Sequence, residues 1–73
     1  MVELKRWLTD RVRARQRYAL LDVYIRHVET ARPGSDHALF HKNRLNGYLG
    51  GLWDAGVITD GEWHAFGREV DNA

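Results

Sequence analysis

The chain has 73 residues, 44% of them hydrophobic, with no cysteine and one proline, so it is a single domain (1–73) near the lower size limit for a self-sufficient core. The lack of cysteine excludes a disulfide framework and thiolate metal sites, and no run of about 18 apolar residues exists to span a membrane. A net charge of +1 conceals an uneven distribution, with eight basic against four acidic residues in 1–32 and three against six in 33–73. That polarity suits an acidic partner for the first half, or attraction between the halves or between copies. The start, Met1 to Arg6, lacks the apolar core and small-residue cleavage site of a secretory signal, and a cytoplasmic protein is expected.

The first predicted element is a long helix from about Val2 to Ala31. Leu4, Trp7, Arg11, Ala14, Tyr18, Leu21, Ile25 and Val28 follow one another at alternating spacings of three and four. On an α-helix these residues form one stripe, apolar except for Arg11. Thr9 and Asp10 are helix-start types, but the spacing runs through them and predicts continuity. A weaker stripe of Leu8, Val12, Ala19 and Val23 lies opposite, and two stripes predict two neighbours, one within the chain and one from another copy. Arg6, Arg13 and Arg17 form a basic strip between them, with Arg15 and Arg26 on the other side. Arg32-Pro33-Gly34 ends the helix.

A second helix begins at an N-cap supplied by Ser35 or Asp36. Ala38, His41, Leu45, Tyr48, Leu52 and Ala55 again step by three and four, and Leu49 and Trp53 widen that face. Asn46-Gly47 read alone is a turn signal. Gly47, Gly50 and Gly51 together cost a helix about 2–3 kcal/mol relative to alanines. Either the helix breaks at 46–47 or the glycines admit another backbone, and the uninterrupted apolar spacing favours an unbroken helix. Asp54-Ala55-Gly56-Val57 predicts a glycine-capped end, and Thr59-Asp60-Gly61-Glu62 is a capping box flanked by Ile58 and Trp63 in staple positions. The last helix, about Asp60 to Val70, presents Trp63, Phe66 and Val70 on one side, and Asp71-Asn72-Ala73 are expected to fray.

Leu52-Trp53-Asp54-Ala55-Gly56-Val57-Ile58-Thr59-Asp60-Gly61-Glu62-Trp63 resembles the corner of the short C-terminal helical hairpin known as the SHOCT domain. There a leucine-rich helix runs into an Ala-Gly-Ile-Ile-Thr-type turn and an acidic, aromatic-containing helix. The likeness covers residues 45–70, lacks that domain's lysine- and leucine-rich ending, and implies oligomerisation or partner binding rather than catalysis.

Chemistry-bearing constellations are few. The arginine-rich first helix offers cations for phosphates, but Trp7 and Tyr18 lie on the core stripe, away from any stacking role. The helix–turn–helix corner carries Asp60, Glu62 and Glu69 against Arg68 alone, the wrong charge for reading DNA. His37 and His41 stand four apart on one helix, within reach of Asp36, His27 or His64, but without the glutamate of a metalloprotease motif. No metal, cofactor or catalytic residue is expected.

A helix of about 29 residues spans about 44 Å and the second helix about 30 Å, so the N-terminal third is predicted to overhang. Its apolar residues then mark an interaction site, with Arg11 either paired to a partner's carboxylate or helix-end carbonyl, or solvated. The reading is an all-α fold: a long N-terminal helix packed antiparallel on a second, plus a short third helix after a glycine-capped turn. Its function is that of a non-enzymatic protein-interaction module (a small regulator, adaptor or inhibitor), expected as a homodimer. The partner face comprises Leu4, Trp7, Leu8, Arg11, Val12 and Arg15. The alternative is a nucleic-acid-binding regulator using Arg6, Arg13 and Arg17. Small cysteine-free chains of this sort are common among phage and plasmid accessory proteins, an association rather than a derivation.

Overall fold

In the computed structural model, which describes residues 1–10 and 17–73, the described residues form four helices and no strand. They are α1 (Val2–Asp10), α2 (Ala19–Thr30), α3 (Asp36–Asp54) and α4 (Asp60–Asp71). The all-α class matches the reading of the sequence. The long first helix does not.

That helix is two elements. α1 spans Val2–Asp10, and Tyr18, at φ −120° and ψ 46°, is a non-helical residue between it and α2. A continuous helix of about 44 Å would also exceed the molecule's longest dimension, 32 Å. The stripe that runs through the sequence is real but is used against different neighbours. Leu4, Trp7 and Leu8 of α1 and Leu21, Ile25 and Val28 of α2 all enter one core with Leu45, Leu49, Leu52, Ile58, Phe66 and Val70. The second stripe also divides, since Leu8 is buried whereas Ala19 and Val23 are exposed.

Side-chain pairs give the directions of the helices. Tyr24 meets Tyr48 edge-on at 5.5 Å and His27 meets His41 at 5.0 Å, so α2 and α3 run antiparallel, as their short connection requires. Trp53 stacks on Trp63 at 4.3 Å, and Asn46 Nδ2 donates to Asp71 Oδ1 at 3.0 Å, so α3 and α4 are antiparallel too. α1 lies antiparallel on α4, with Trp7 6.3 Å from Phe66 and the Glu3 and Leu4 amides donating to the Glu69 carboxylate at 3.0 and 2.9 Å. The Lys5–Glu29 ion pair, 2.8 Å, ties α1 to the end of α2.

The local signals of the second half are met atom by atom. Ser35 rather than Asp36 is the N-cap of α3, its Oγ accepting from the Ala38 amide at 3.1 Å. Gly56 adopts φ +75°, the left-handed conformation that only glycine reaches freely. The Val57 amide donates to the Leu52 carbonyl at 2.9 Å and the Gly56 amide to that of Trp53 at 3.0 Å, the two bonds of a Schellman motif. Two residues on, Thr59 Oγ1 accepts from the Glu62 amide and Glu62 Oε1 from the Thr59 amide, closing the capping box. These caps make the corner that lays α4 back along α3. The C-terminal end is held better than its composition suggests, because Asp71 also accepts from Lys42 Nζ through its carbonyl at 3.3 Å.

α3 runs unbroken through Asn46-Gly47. A Cβ added at Gly47 or Gly51 would meet nothing within 4 Å, and one at Gly50 only the Trp63 indole nitrogen at 4.0 Å. Among the described residues, therefore, no backbone approaches these glycines, each of which costs a helix about 1 kcal/mol relative to alanine. Gly47→Ala is accordingly expected to raise the free energy of unfolding by about 1 kcal/mol, read from the urea midpoint.

Glu69 provides a second test. Partial desolvation pushes its pKa up, but the amides of Glu3, Leu4 and Val2 and the Met1 ammonium outweigh this and hold the carboxyl below its ordinary value. A carboxyl depressed on folding contributes stability that is present above the ordinary glutamate range and is lost as the pH falls through its folded pKa. Glu69→Gln is expected to cost about 1 kcal/mol at neutral pH, the scale of a lost helix N-cap, and to reduce acid sensitivity; chemical denaturation at several pH values checks both.

Candidate functional site

Of the expected partner face, the structure describes Leu4, Trp7 and Leu8, and it buries all three. Leu4, Trp7 and Leu8 are 0, 8 and 4% exposed, so the overhang and its exposed apolar surface are replaced by a docked helix. The reason is the turn-back onto α4: Phe66 and Val70 cover the face that a straight helix would have projected into water. Arg11, Val12 and Arg15 lie outside the described residues, as does Arg13 of the predicted basic strip. Of that strip, Arg6 is exposed and 3.5 Å from Glu3, and Arg17 is exposed beside the start of α2. Lys5 and Arg26 are likewise engaged, with Glu29 and Asp22.

Three surface features stand out on the described residues. The first is an open groove between α1 and α4, floored by Trp7, Phe66, Ala65 and Gly61, with Glu3, Arg6, Asp10 and Glu62 around its edge. The second is the Trp53–Trp63 stack on the α3–α4 flank, with rings 10° from parallel and His64 packed against Trp63 at 5.3 Å. The third is the outer face of α3. Leu39 and Phe40 are 60 and 58% exposed there, although the buried residues of α3, including Leu45, Leu49 and Leu52, complete the core on the opposite side. Phe40, Gly47 and Gly51 recur at i, i+7 and i+11 and so share that face, as does Asp54 one turn further. Leu39 and Phe40 fall off the apolar stripe of the second helix, and that was the available signal: Phe40 stands a half-turn from Leu49, and Leu39 stands on the flank about 100° from Phe40.

The histidines group differently from the pair considered in the sequence. His41 sits against His27, with Phe40 edge-on to its ring at 5.3 Å, and its Nδ1 is shielded from solvent with no hydrogen-bond partner among the described residues. Among the described residues no three metal-ligating side chains stand together. Desolvation, followed by the charges of His27, His37 and Arg44, lowers the His41 pKa. Arg44 is itself held over the Tyr24 ring at 4.3 Å.

Comparison with protein-family models, curated proteins and solved structures returned no match.

A histidine whose pKa is lowered by folding favours the folded state fully above the ordinary histidine range, and that contribution is lost as the pH falls below it. The α2–α3 seam is therefore expected to weaken on acidification from neutral pH. His41→Leu should flatten that part of the profile, measured as urea midpoints at neutral and mildly acidic pH.

Proposed function

We propose that this chain is a non-enzymatic protein-interaction module, a small regulator, adaptor or inhibitor, that engages its partner through the outer face of α3. The observation that carries this reading is the exposure of Leu39 and Phe40 at 60 and 58% in a chain whose core is closed without them. Large apolar side chains grouped on an otherwise solvated face cost solubility and mark interaction surfaces. Aromatic residues are also over-represented among the anchors of such surfaces. The resemblance of residues 45–70 to the SHOCT hairpin points in the same direction. Nucleic-acid binding is the weaker reading, because Lys5, Arg6 and Arg26 are each engaged by a carboxylate of the same half.

The immobilised chain is expected to retain a protein other than itself from its native host. Leu39→Asp with Phe40→Asp should lose that protein at unchanged helix content and unfolding midpoint. Equal retention by the two chains would move the interaction off α3. Binding of random-sequence duplex that collapses between about 50 and 200 mM salt would replace the reading with the nucleic-acid one.

A further inference from the structure

The α2–α3 seam brings together two imidazoles that lie apart in the chain. His27 of α2 and His41 of α3 stand with ring centroids 5.0 Å apart and planes inclined by 51°. His27 is exposed and His41 half-buried, so the pair sits at the solvent edge of the seam. The His41 Nδ1 is shielded and has no hydrogen-bond partner among the described residues, so a ring nitrogen of the pair is left unused. We propose that His27 and His41 chelate one divalent ion of the late first-row metals, with Zn²⁺ the type case, and that the ion clamps α2 to α3. The proposal stands apart from the reading of the outer face of α3 as a partner surface.

Spacing and donor type carry it. An imidazole nitrogen binds Zn²⁺ at about 2.0–2.1 Å. Each ring centroid then lies about 3.2 Å from the ion, so two ligating rings stand about 4.5 Å apart at a right angle and about 5.2 Å apart at the tetrahedral angle. The observed 5.0 Å falls between these limits. Neutral imidazole suits Zn²⁺, Cu²⁺ and Ni²⁺, whereas Ca²⁺ and Mg²⁺ take oxygen ligands. Among the described residues the histidine with a carboxylate beside it is His64, 3.7 Å from Asp60, and not either member of the pair. Metal binding needs the neutral ring. Desolvation, helped by the charges of His27, His37 and Arg44, already favours that form of His41. Among the described residues no third ligating side chain stands with the two, so water fills the remaining positions. With two protein ligands rather than the four of a structural zinc site, the ion exchanges with solvent and the clamp follows its free concentration. An ion held across two helices binds the folded chain in preference to the unfolded one, and stabilises it by mass action.

Titration of the full chain with Zn²⁺ tests the proposal, read by calorimetry and by the thermal unfolding midpoint. One ion per chain is expected to bind near neutral pH. At about 100 µM free Zn²⁺ the midpoint should rise by several degrees, and Ca²⁺ at the same concentration should leave it unchanged. His27→Gln removes a ligand from an exposed position, so the metal-free variant should fold as before. Its Zn²⁺ binding should weaken by at least about tenfold, and the midpoint shift should vanish. His41→Gln should weaken binding equally, and should that variant lose the fold, His27→Gln alone decides. His64→Gln on α4 should leave binding and shift intact. Absence of both heat and shift with Zn²⁺ overturns the proposal. Binding that survives His27→Gln, or that is lost with His64→Gln, overturns it as well.

Discussion

The carboxylate of Glu69 at the head of α1 is the contact on which the arrangement turns. α1 has nine residues, too few to be a stable helix by itself, and its first amides have no intrahelical acceptor. Glu69, one turn from Phe66 and next to Val70, supplies an anionic acceptor at the positive end of that helix, while those two residues receive Trp7 and Leu4 in the core. The N-terminal segment is thereby held as the fourth side of a helical bundle, reaching α2 through the Lys5–Glu29 pair.

This contact depends in turn on the corner between α3 and α4. The Schellman bonds at Gly56 end one helix, and the capping box at Thr59 and Glu62 starts the next three residues later. Little freedom remains in between, so α4 lies antiparallel to α3 and presents Phe66, Glu69 and Val70 in a fixed position. The connection is energetic as well as geometric: backbone groups exposed at helix ends are satisfied by neighbours in sequence at the corner and by a distant carboxylate at α1.

Docking α1 has a consequence for the surface. With Leu4, Trp7 and Leu8 used inside, the apolar groups left for a partner are those that packing does not need, and on α3 they stand on the side away from the core. The charge asymmetry of the chain is only partly spent on holding it together. The acidic half contributes Glu69 to the head of α1, but Lys5, Arg6 and Arg26 find their carboxylates within the basic half itself.

What the sequence determined by itself was everything set by near neighbours. The helical class, the unbroken α3, the glycine-capped end at Gly56 and the capping box all follow from spacings and caps a few residues wide. What only the tertiary structure decided was how the first stripe is divided, because a three-four spacing is identical in one long helix and in two short ones that share a phase. The docking of α1 was decided by Glu69, Phe66 and Val70, far away in sequence, which no local pattern in the first stripe could announce. The exposed apolar surface differs from the expected one for the same reason. Exposure is a property of what covers a residue: Leu4, Trp7 and Leu8 share one core with Phe66 and Val70 of α4, while Leu39 and Phe40 stand exposed.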